Sequence, residues 1–498
     1  MTFSPAPQPF NMAAHVLRHA ADLAQKVALS IVAPDCSQDW TYAQIEAAVR
    51  GCATGLLNLG LKAGDRVILR LGNTADFPIT YLACIAVDLI PVPLSAQLTA
   101  PEVAKISANI RPALTIQSDD MPVASGSVLP ADLLQSLYNN LPAAYTFGDP
   151  NRPAYIIHTS GTSGQSRGVI HAHRAVWARQ MMWDGWYGLR PSDRLLHAGA
   201  FNWTYTLGTG LMDPWAIGAT ALIPADGTEA STLPALLVHY GATIFAAAPG
   251  VYRRLLRAEI PALPHLRHGL SAGEKLPEDT ATLWRKSTGT AVHEAFGMSE
   301  CSTFISGSPA RPAPAGASGY PQAGHDVAII QNGQPVPAGE TGTIAIHRTD
   351  QGLMLGYLNA PEETAAKYDG DWFLTGDMGQ LDAQGAVIYA GRADDMMNAG
   401  GFRVSPIEVE DALTAHPLIH EAAATEIKIK QDVCVIAAFY TSQDMISEEQ
   451  LSAFCAENLA GYKRPRLFIR VENLPRGANN KLLRRVLRQD WETANGQT

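Results

Sequence analysis

At 498 residues the chain exceeds one average domain, so two or more are expected, and 47% hydrophobic with 17% charged residues excludes a disordered chain. A net charge of −10 argues against a nucleic-acid binder, which needs a basic face. The six cysteines, at positions 36, 52, 84, 301, 434 and 455, form no C-x-x-C pair, so zinc and redox roles are not indicated and reduced thiols in a cytoplasmic protein are expected.

Met1-Thr2-Phe3-Ser4-Pro5 lacks a basic region followed by an apolar core, so no signal peptide is expected. Residues 81–94 form the longest apolar stretch, but Asp88 and prolines interrupt it and it is too short to span a bilayer. Strand-like residues 67–69 precede a helix-like run at 77–87. Further on, 219–223 reads as a strand, 233–240 as a helix and 242–248 as a strand. That rhythm predicts an α/β fold with parallel-rich sheets. From Gly319 the texture changes to short strands at 327–330, 343–347 and 386–390, separated by turns such as Asn332-Gly333. A β-rich subdomain at about 319–392 is expected. After the charged turn at 392–395, a helix at 407–415, a strand at 433–440 and a helix at 448–459 predict a small α+β domain. The expected boundaries are 1–393 and 394–498. The tail after Trp491 is polar.

Within this frame, Thr159-Ser160-Gly161-Thr162-Ser163-Gly164-Gln165-Ser166-Arg167-Gly168 combines three glycines, five hydroxyl residues and one cation. It lies between the apolar runs Tyr155-Ile156-Ile157 and Val169-Ile170. Glycines let backbone N–H groups turn toward an anion and hydroxyls add donors, so a strand feeding a phosphate cradle is expected. A flexible linker has the same composition, and the segment alone does not decide between the two. It is neither a Walker loop, because Ser166 follows Gly161 and four residues where Gly-Lys-Ser/Thr is needed, nor a dinucleotide fingerprint.

The string resembles the signature loop of the adenylate-forming superfamily of acyl-CoA synthetases, peptide-synthetase adenylation domains and luciferases, usually Thr-Ser-Gly-Thr-Thr-Gly-x-Pro-Lys-Gly. Ser163, Ser166 and Arg167 replace Thr, Pro and Lys, and Arg167 keeps the charge. Further elements follow in the family's order: Trp40-Thr41-Tyr42, Ser271-Ala272-Gly273-Glu274, Phe296-Gly297-Met298-Ser299-Glu300, Thr375-Gly376-Asp377, Gly391-Arg392-Ala393-Asp394-Asp395, and Leu474-Pro475 with Lys481 beyond it. The Ser-Ala-Gly-Glu segment and residues 404–410 look most like benzoate-type and medium-chain acyl-CoA ligases.

The resemblance implies a large N-terminal adenylation domain and a small mobile C-terminal lid. It implies ATP, Mg²⁺ and CoA, and a carboxylic acid activated as acyl-AMP. Thr159, Ser160, Gly161, Thr162, Ser163, Gly164 and Arg167 would hold phosphates. Ala272, Gly273, Glu274, Ala295, Phe296, Gly297 and Ser299 would surround the nucleotide. Glu300 would coordinate Mg²⁺, Asp377 would accept hydrogen bonds from the ribose hydroxyls, Arg392 would contact the ribose or phosphate side, and Lys481 would be catalytic. Gly477-Ala478-Asn479-Asn480 departs from the family, which places Gly directly before that Lys. Asp394 would be the hinge, and Gly400, Gly401, Phe402 and Arg403 would line the CoA tunnel. Asn398 stands where many relatives carry Lys.

For the acyl pocket the resemblance points to Phe201, Trp203, Tyr205, Gly208 and Met298. Aromatic residues suit an aryl or short- to medium-chain acid, although core packing is their commoner fate. No acidic residue appears there to meet an amino acid's ammonium group. Residues 463–488 hold nine Lys/Arg and one acid, Glu472, which fits either attraction of CoA phosphates or a solvated basic face. The C-terminal domain ends the chain without a carrier domain behind it, favouring CoA as acceptor. Loading of a separate carrier protein, or non-catalytic binding of nucleotide, are the alternative readings. Oligomeric state is not legible.

Overall fold

The computed structural model describes residues 3–118, 121, 126–159, 167–393, 395–399, 402–430, 433–477 and 482–495. By packing, the chain divides into two compact units, Met1–Asp326 with His347–Phe373, and Val327–Ile346 with Leu374–Thr498. The sequence expectation divides it at 393/394; the contact grouping instead keeps most of the β-rich stretch with the C-terminal residues.

The first unit carries a nine-stranded sheet whose six central strands run parallel. Their order is Val292–Met298, His268–Ala272, Ile244–Ala247, Arg194–His197, Thr220–Pro224 and Val27–Val32. Ser37–Thr41 adds antiparallel at one edge, Ser302–Ser306 and Tyr320–Pro321 at the other. Leu29, Leu222, Phe245 and Leu270 are wholly buried, as expected of parallel strands covered on both faces. Trp284, from the helix Glu278–Thr288, stacks on Phe245 with centroids 5.7 Å apart.

A second sheet, Ile90–Pro93, Arg66–Arg70, Leu114–Gln117 and Val128–Pro130, is parallel throughout. The helices Tyr42–Asn58 and Asp76–Ala86 join the large core beside it. The Trp40-Thr41-Tyr42 element has a structural role. Thr41 caps its helix through a reciprocal box with Gln44, and the buried Tyr42 hydroxyl donates to the Ala219 carbonyl at 2.6 Å. A third sheet sets Pro153–Thr159, Arg167–Ala172 and Gly356–Tyr357 side by side, antiparallel.

In the second unit, Val327–Gln331 turns into Gln334–Pro335 through Asn332 and Gly333, whose φ values of 51° and 74° suit a two-residue hairpin. The C-terminal portion pairs Glu421–Lys430, Val433–Thr441 and Leu467–Arg470 and carries the helices Pro406–Thr414, Glu448–Asn458 and Arg484–Ala494, an α+β arrangement. Sequence reading placed no strand at 372–381, where the structure has the ten-residue strand Trp372–Leu381. Its inward positions are Phe373, Thr375, Asp377 and Gly379, so polar residues and glycine hide the period of two. Among the described residues no helix is long and apolar enough to cross a membrane.

Candidate active site

The expected phosphate loop connects two antiparallel strands. Thr159 pairs with Arg167, His158 with Gly168 and Ile157 with Val169. Ser160, Gly161, Thr162, Ser163 and Gly164 lie outside the described residues, which begin again at Arg167. The far strand ties this hairpin to the Phe296–Glu300 segment. His171 Nε2 lies 2.7 Å from the Ser299 carbonyl, which can only accept, so Nε2 carries the proton. Burial lowers the His171 pKa to about 4, keeping the ring neutral.

Glu300 sits in the turn between Val292–Met298 and Ser302–Ser306. The turn needs its glycine, since a Cβ on Gly297 would overlap the Ser302 carbonyl. The Glu300 carbonyl accepts from Met354 N–H at 2.7 Å, and its carboxylate Oε1 accepts from the Tyr357 hydroxyl at 2.6 Å. The Arg167 guanidinium lies 5.3 Å from the Tyr357 ring centroid and pairs with Glu363 at 2.5 Å. The cation that ends the phosphate loop and the carboxylate expected to hold a metal therefore meet on one tyrosine. Sequence reading missed Tyr357 and Glu363, and nothing in Leu355-Gly356-Tyr357-Leu358 marks them.

In the segment expected beside the nucleotide, Ala272 ends a buried strand and Gly273 follows at φ 100°. A Cβ on Gly273 would lie 2.9 Å from the Trp203 ring, so the indole covers this turn. Glu274 is half-buried. Ala295 is buried on the neighbouring strand, and Phe296 meets Phe304 edge-on at 5.4 Å. Just before Ala295, the Glu294 carboxylate accepts from Leu276 N–H at 2.6 Å, and burial pushes its pKa up to about 7.

In the second unit, Asp377 and Arg392 are register partners on adjacent strands. Arg392 Nη1 lies 3.5 Å from Asp377 Oδ2, and the Tyr389 hydroxyl donates to Oδ1 at 3.2 Å. Gly376 takes φ 82°, and Thr375 Oγ1 both accepts from Asp377 N–H at 3.0 Å and donates to the Ile344 carbonyl at 2.7 Å. Asp394, Gly400, Gly401 and Lys481 lie outside the described residues. The backbone of Phe402 and Arg403 pairs with Ala399 and Asn398. Arg476 bridges to Leu482, and Leu483 N–H donates to the Pro475 carbonyl at 2.9 Å, on either side of the segment that carries Lys481. Much of the basic run is paired: Lys463 with Glu408, Arg476 with Glu421, Arg484 with Glu410 and Arg488 with Glu492. Those cations are matched within the chain, which favours a structural role for them over attraction of CoA phosphates.

Of the residues expected around the acid, Trp203 and Tyr205 meet edge-on with ring centroids 5.0 Å apart, and Gly208 and Met298 both border Arg179. Phe201 is buried and stacks on Phe77 at 5.4 Å, and Tyr205 is buried with its hydroxyl on the Leu270 carbonyl at 3.1 Å. Trp203 covers Gly273, and Gly208 makes room for the Arg179 guanidinium. Met298 lines a small cavity with Tyr81, Tyr155, His171, Arg179 and Ser302. Its free volume of about 20 Å³ suits one water rather than an acyl group. Arg179 is held by Asp213 at 2.6 Å, by the Tyr187 hydroxyl at 3.0 Å and by Ser302 Oγ at 2.5 Å. Burial lowers the arginine's proton affinity, and the Asp213 charge more than restores it. The signal for this pair in the sequence is a lone cation within the apolar Ala175–Met182 stretch.

Comparison with known proteins gives this geometry its context. Residues 16–358 match the AMP-binding enzyme family and residues 408–481 its C-terminal domain. The chain is 30% identical to the benzoate–CoA ligase of Thauera aromatica, over 91% of each chain. It is 29% identical to a mitochondrial acyl-coenzyme A synthetase of Homo sapiens, covering 98% of this chain and 92% of the relative. The solved structure of the anthranilate CoA ligase AuaEII in complex with anthranoyl-AMP superposes with a TM-score of 0.88 at 27% identity, covering 99% of both chains. The chain belongs to the AMP-binding enzyme family, the adenylate-forming superfamily its motifs resemble, and is an AMP-forming acid–thiol ligase that joins a carboxylic acid to CoA through an acyl-adenylate.

Proposed function

We propose that the acid is an aryl or short- to medium-chain carboxylic acid, activated at a site built around Glu300, Arg167 and the hairpin loop between Thr159 and Arg167. The observation that carries the site is the meeting of Glu300 and Arg167 on Tyr357, beside that hairpin, while the class of acid is supported by the likeness to the benzoate–CoA ligase and to the anthranilate CoA ligase. In the first half-reaction an oxygen of the acid attacks the α-phosphorus of ATP, the bond to the bridging oxygen breaks, and pyrophosphate leaves. Both reactants are anions, so positive charge must offset their repulsion. Lys481 supplies it at the carboxylate and α-phosphate, and Arg167 at the departing phosphates. Glu300 fits Mg²⁺, because a half-buried carboxylate with Oε1 taken by Tyr357 leaves Oε2 for a cation that takes one or two carboxylates beside phosphate oxygens. Bound there, Mg²⁺ would neutralise phosphate charge.

Asp377 accepts the ribose hydroxyls and Arg392 orients that carboxylate, supported by their pairing at 3.5 Å. In the second half-reaction the CoA sulfur attacks the acyl carbon and AMP leaves. Asp394 serves as the hinge between the two states, with Gly400, Gly401, Phe402 and Arg403 along the pantetheine path. The division between 1–393 and 394–498 belongs to this same reading.

Pyrophosphate release over a panel of benzoate, 2-aminobenzoate, hexanoate, octanoate and acetate, each with CoA or a holo-carrier protein as acceptor, tests the assignment. Turnover with an aryl or medium-chain acid and CoA is expected. Product only on the carrier protein would replace the CoA acceptor, and turnover confined to a long-chain acid such as palmitate, added to the panel, would remove the substrate class.

A further inference from the structure

We infer that Tyr357 is a positioning residue that links the metal carboxylate to the phosphate-binding cation. The inference rests on the proposal that Glu300 holds Mg²⁺. Tyr357 comes from the short strand Gly356–Tyr357, which pairs antiparallel with Arg167–Ala172, Tyr357 opposite Val169. Leu358 N–H donates to the Gly168 carbonyl at 2.7 Å and Leu355 N–H to the Ile170 carbonyl at 2.8 Å, so the hairpin's own backbone fixes the tyrosine on both sides. Gly356, at φ 152° with its Cβ position 3.2 Å from Thr364, sets the strand close to the following helix, where Thr364 Oγ1 accepts from Tyr357 N–H at 2.9 Å. The ring is therefore placed by backbone contacts that owe nothing to nucleotide.

Its two faces of chemistry then act on different charges. The hydroxyl donates to Glu300 Oε1 at 2.6 Å, a short charge-assisted bond that fixes which carboxylate oxygen is turned toward a metal. The ring carries the Arg167 guanidinium 5.3 Å from its centroid, while Glu363 holds the same guanidinium at 2.5 Å. With 31% and 42% of their side chains exposed, Arg167 and Glu363 form an ion pair that a phosphate can outcompete. The hydrogen bond to Glu300 holds the carboxylate, while the cation waits on a weak partner. Oriented outer partners of metal ligands are worth about 10–100-fold in metal affinity.

Mn²⁺ binding in the presence of α,β-methylene-ATP, followed by electron paramagnetic resonance, tests this in full-length protein with Tyr357→Phe and, as control, Glu300→Gln. Tyr357→Phe keeps the ring and is expected to weaken Mn²⁺ about tenfold, with an equal rise in half-saturating Mg²⁺ for pyrophosphate exchange and no change in the KM of the acid. If Glu300→Gln weakens Mn²⁺ and Tyr357→Phe does not, the positioning role is overturned while the metal reading stands. If Glu300→Gln leaves Mn²⁺ binding unchanged, the metal reading falls and the positioning role with it. Should Tyr357→Phe unfold early, Tyr357→Trp, which restores a donor and a ring, is expected to recover Mn²⁺ affinity; failure to recover it in a folded variant counts against the role.

Discussion

Arg179 and Asp213 meet through Nε at 3.0 Å and Nη2 at 2.6 Å in a wall where their side chains are 7% and 1% exposed. The Tyr187 hydroxyl also donates to Asp213, at 2.7 Å, so the carboxylate is fully bonded without water. Removing one partner strands a buried charge, which costs about 3–5 kcal/mol, whereas replacing both by apolar groups is often neutral. Asp213→Ala is therefore expected to lower the urea midpoint steeply, and the double variant Arg179→Met/Asp213→Leu to recover most of the loss. A double variant as unstable as the single one would show that the pair's net contribution, not the orphaned charge, is what the protein needs.

Glu294 gives stability a pH dependence of definite sign. Burial raises its pKa from an ordinary 4.5 to about 7, against the opposing pull of the Leu276 N–H bond and Lys275. Between those values the folded protein holds a proton that the unfolded chain has released, so this group's contribution falls as pH rises from 4.5 to 7 and is flat above. Gln keeps an acceptor for Leu276 and never ionises. Glu294→Gln is expected to match the parent near pH 4.5 and to exceed it above pH 7 by on the order of 1–3 kcal/mol, read as melting temperature against pH. An offset that is the same at both ends removes the assignment.

Motif residues and pocket residues were unequally legible. Glycines and carboxylates at Gly297, Glu300, Gly376 and Asp377 are visible because backbone geometry and charge restrict what can stand there. The helix 76–86, the strands 66–70 and 220–224 and the C-terminal α+β arrangement followed from plain apolar periodicity. The second strand of the phosphate hairpin was harder, because pairing between Ile157 and Val169 is set across a loop whose length gives no register. The acyl pocket was least legible. Phe201 and Tyr205 have the composition of a binding wall and the burial of a core, and only packing separates the two. Arg179 and Asp213 are 34 residues apart, and neither carries a mark of the other.

Asp377 offers a test that a general loss of stability cannot imitate. Arg392, Tyr389 and Thr375 hold this carboxylate and its backbone in place, and its side chain is 10% exposed. A hydrogen bond to a charged group contributes about 1.5–3 kcal/mol, or roughly 10–150-fold in affinity. Asp377→Ala is expected to raise the KM for ATP by about that factor in pyrophosphate exchange. The same substitution should change the KM much less for 2′-deoxy- and 3′-deoxy-ATP, which each lack one ribose hydroxyl. An equal penalty on all three nucleotides would place Asp377 away from the ribose.

The role proposed for Lys481 is expected to separate the half-reactions. Its ammonium is assigned to the charge that builds between carboxylate and α-phosphate, which exists only while the P–O bond forms; thioester formation from a finished acyl-adenylate has no such charge. Lys481→Ala is therefore expected to abolish pyrophosphate release, by about 10²–10³-fold or more as for loss of an oxyanion donor. It should leave conversion of a supplied acyl-adenylate and CoA to thioester within a few-fold of the parent. Lys481→Arg keeps the charge but spreads it over a planar fork, so only partial recovery is expected. Equal loss in both half-reactions would move Lys481 out of the adenylation step and leave Arg167 as the cation assigned to it.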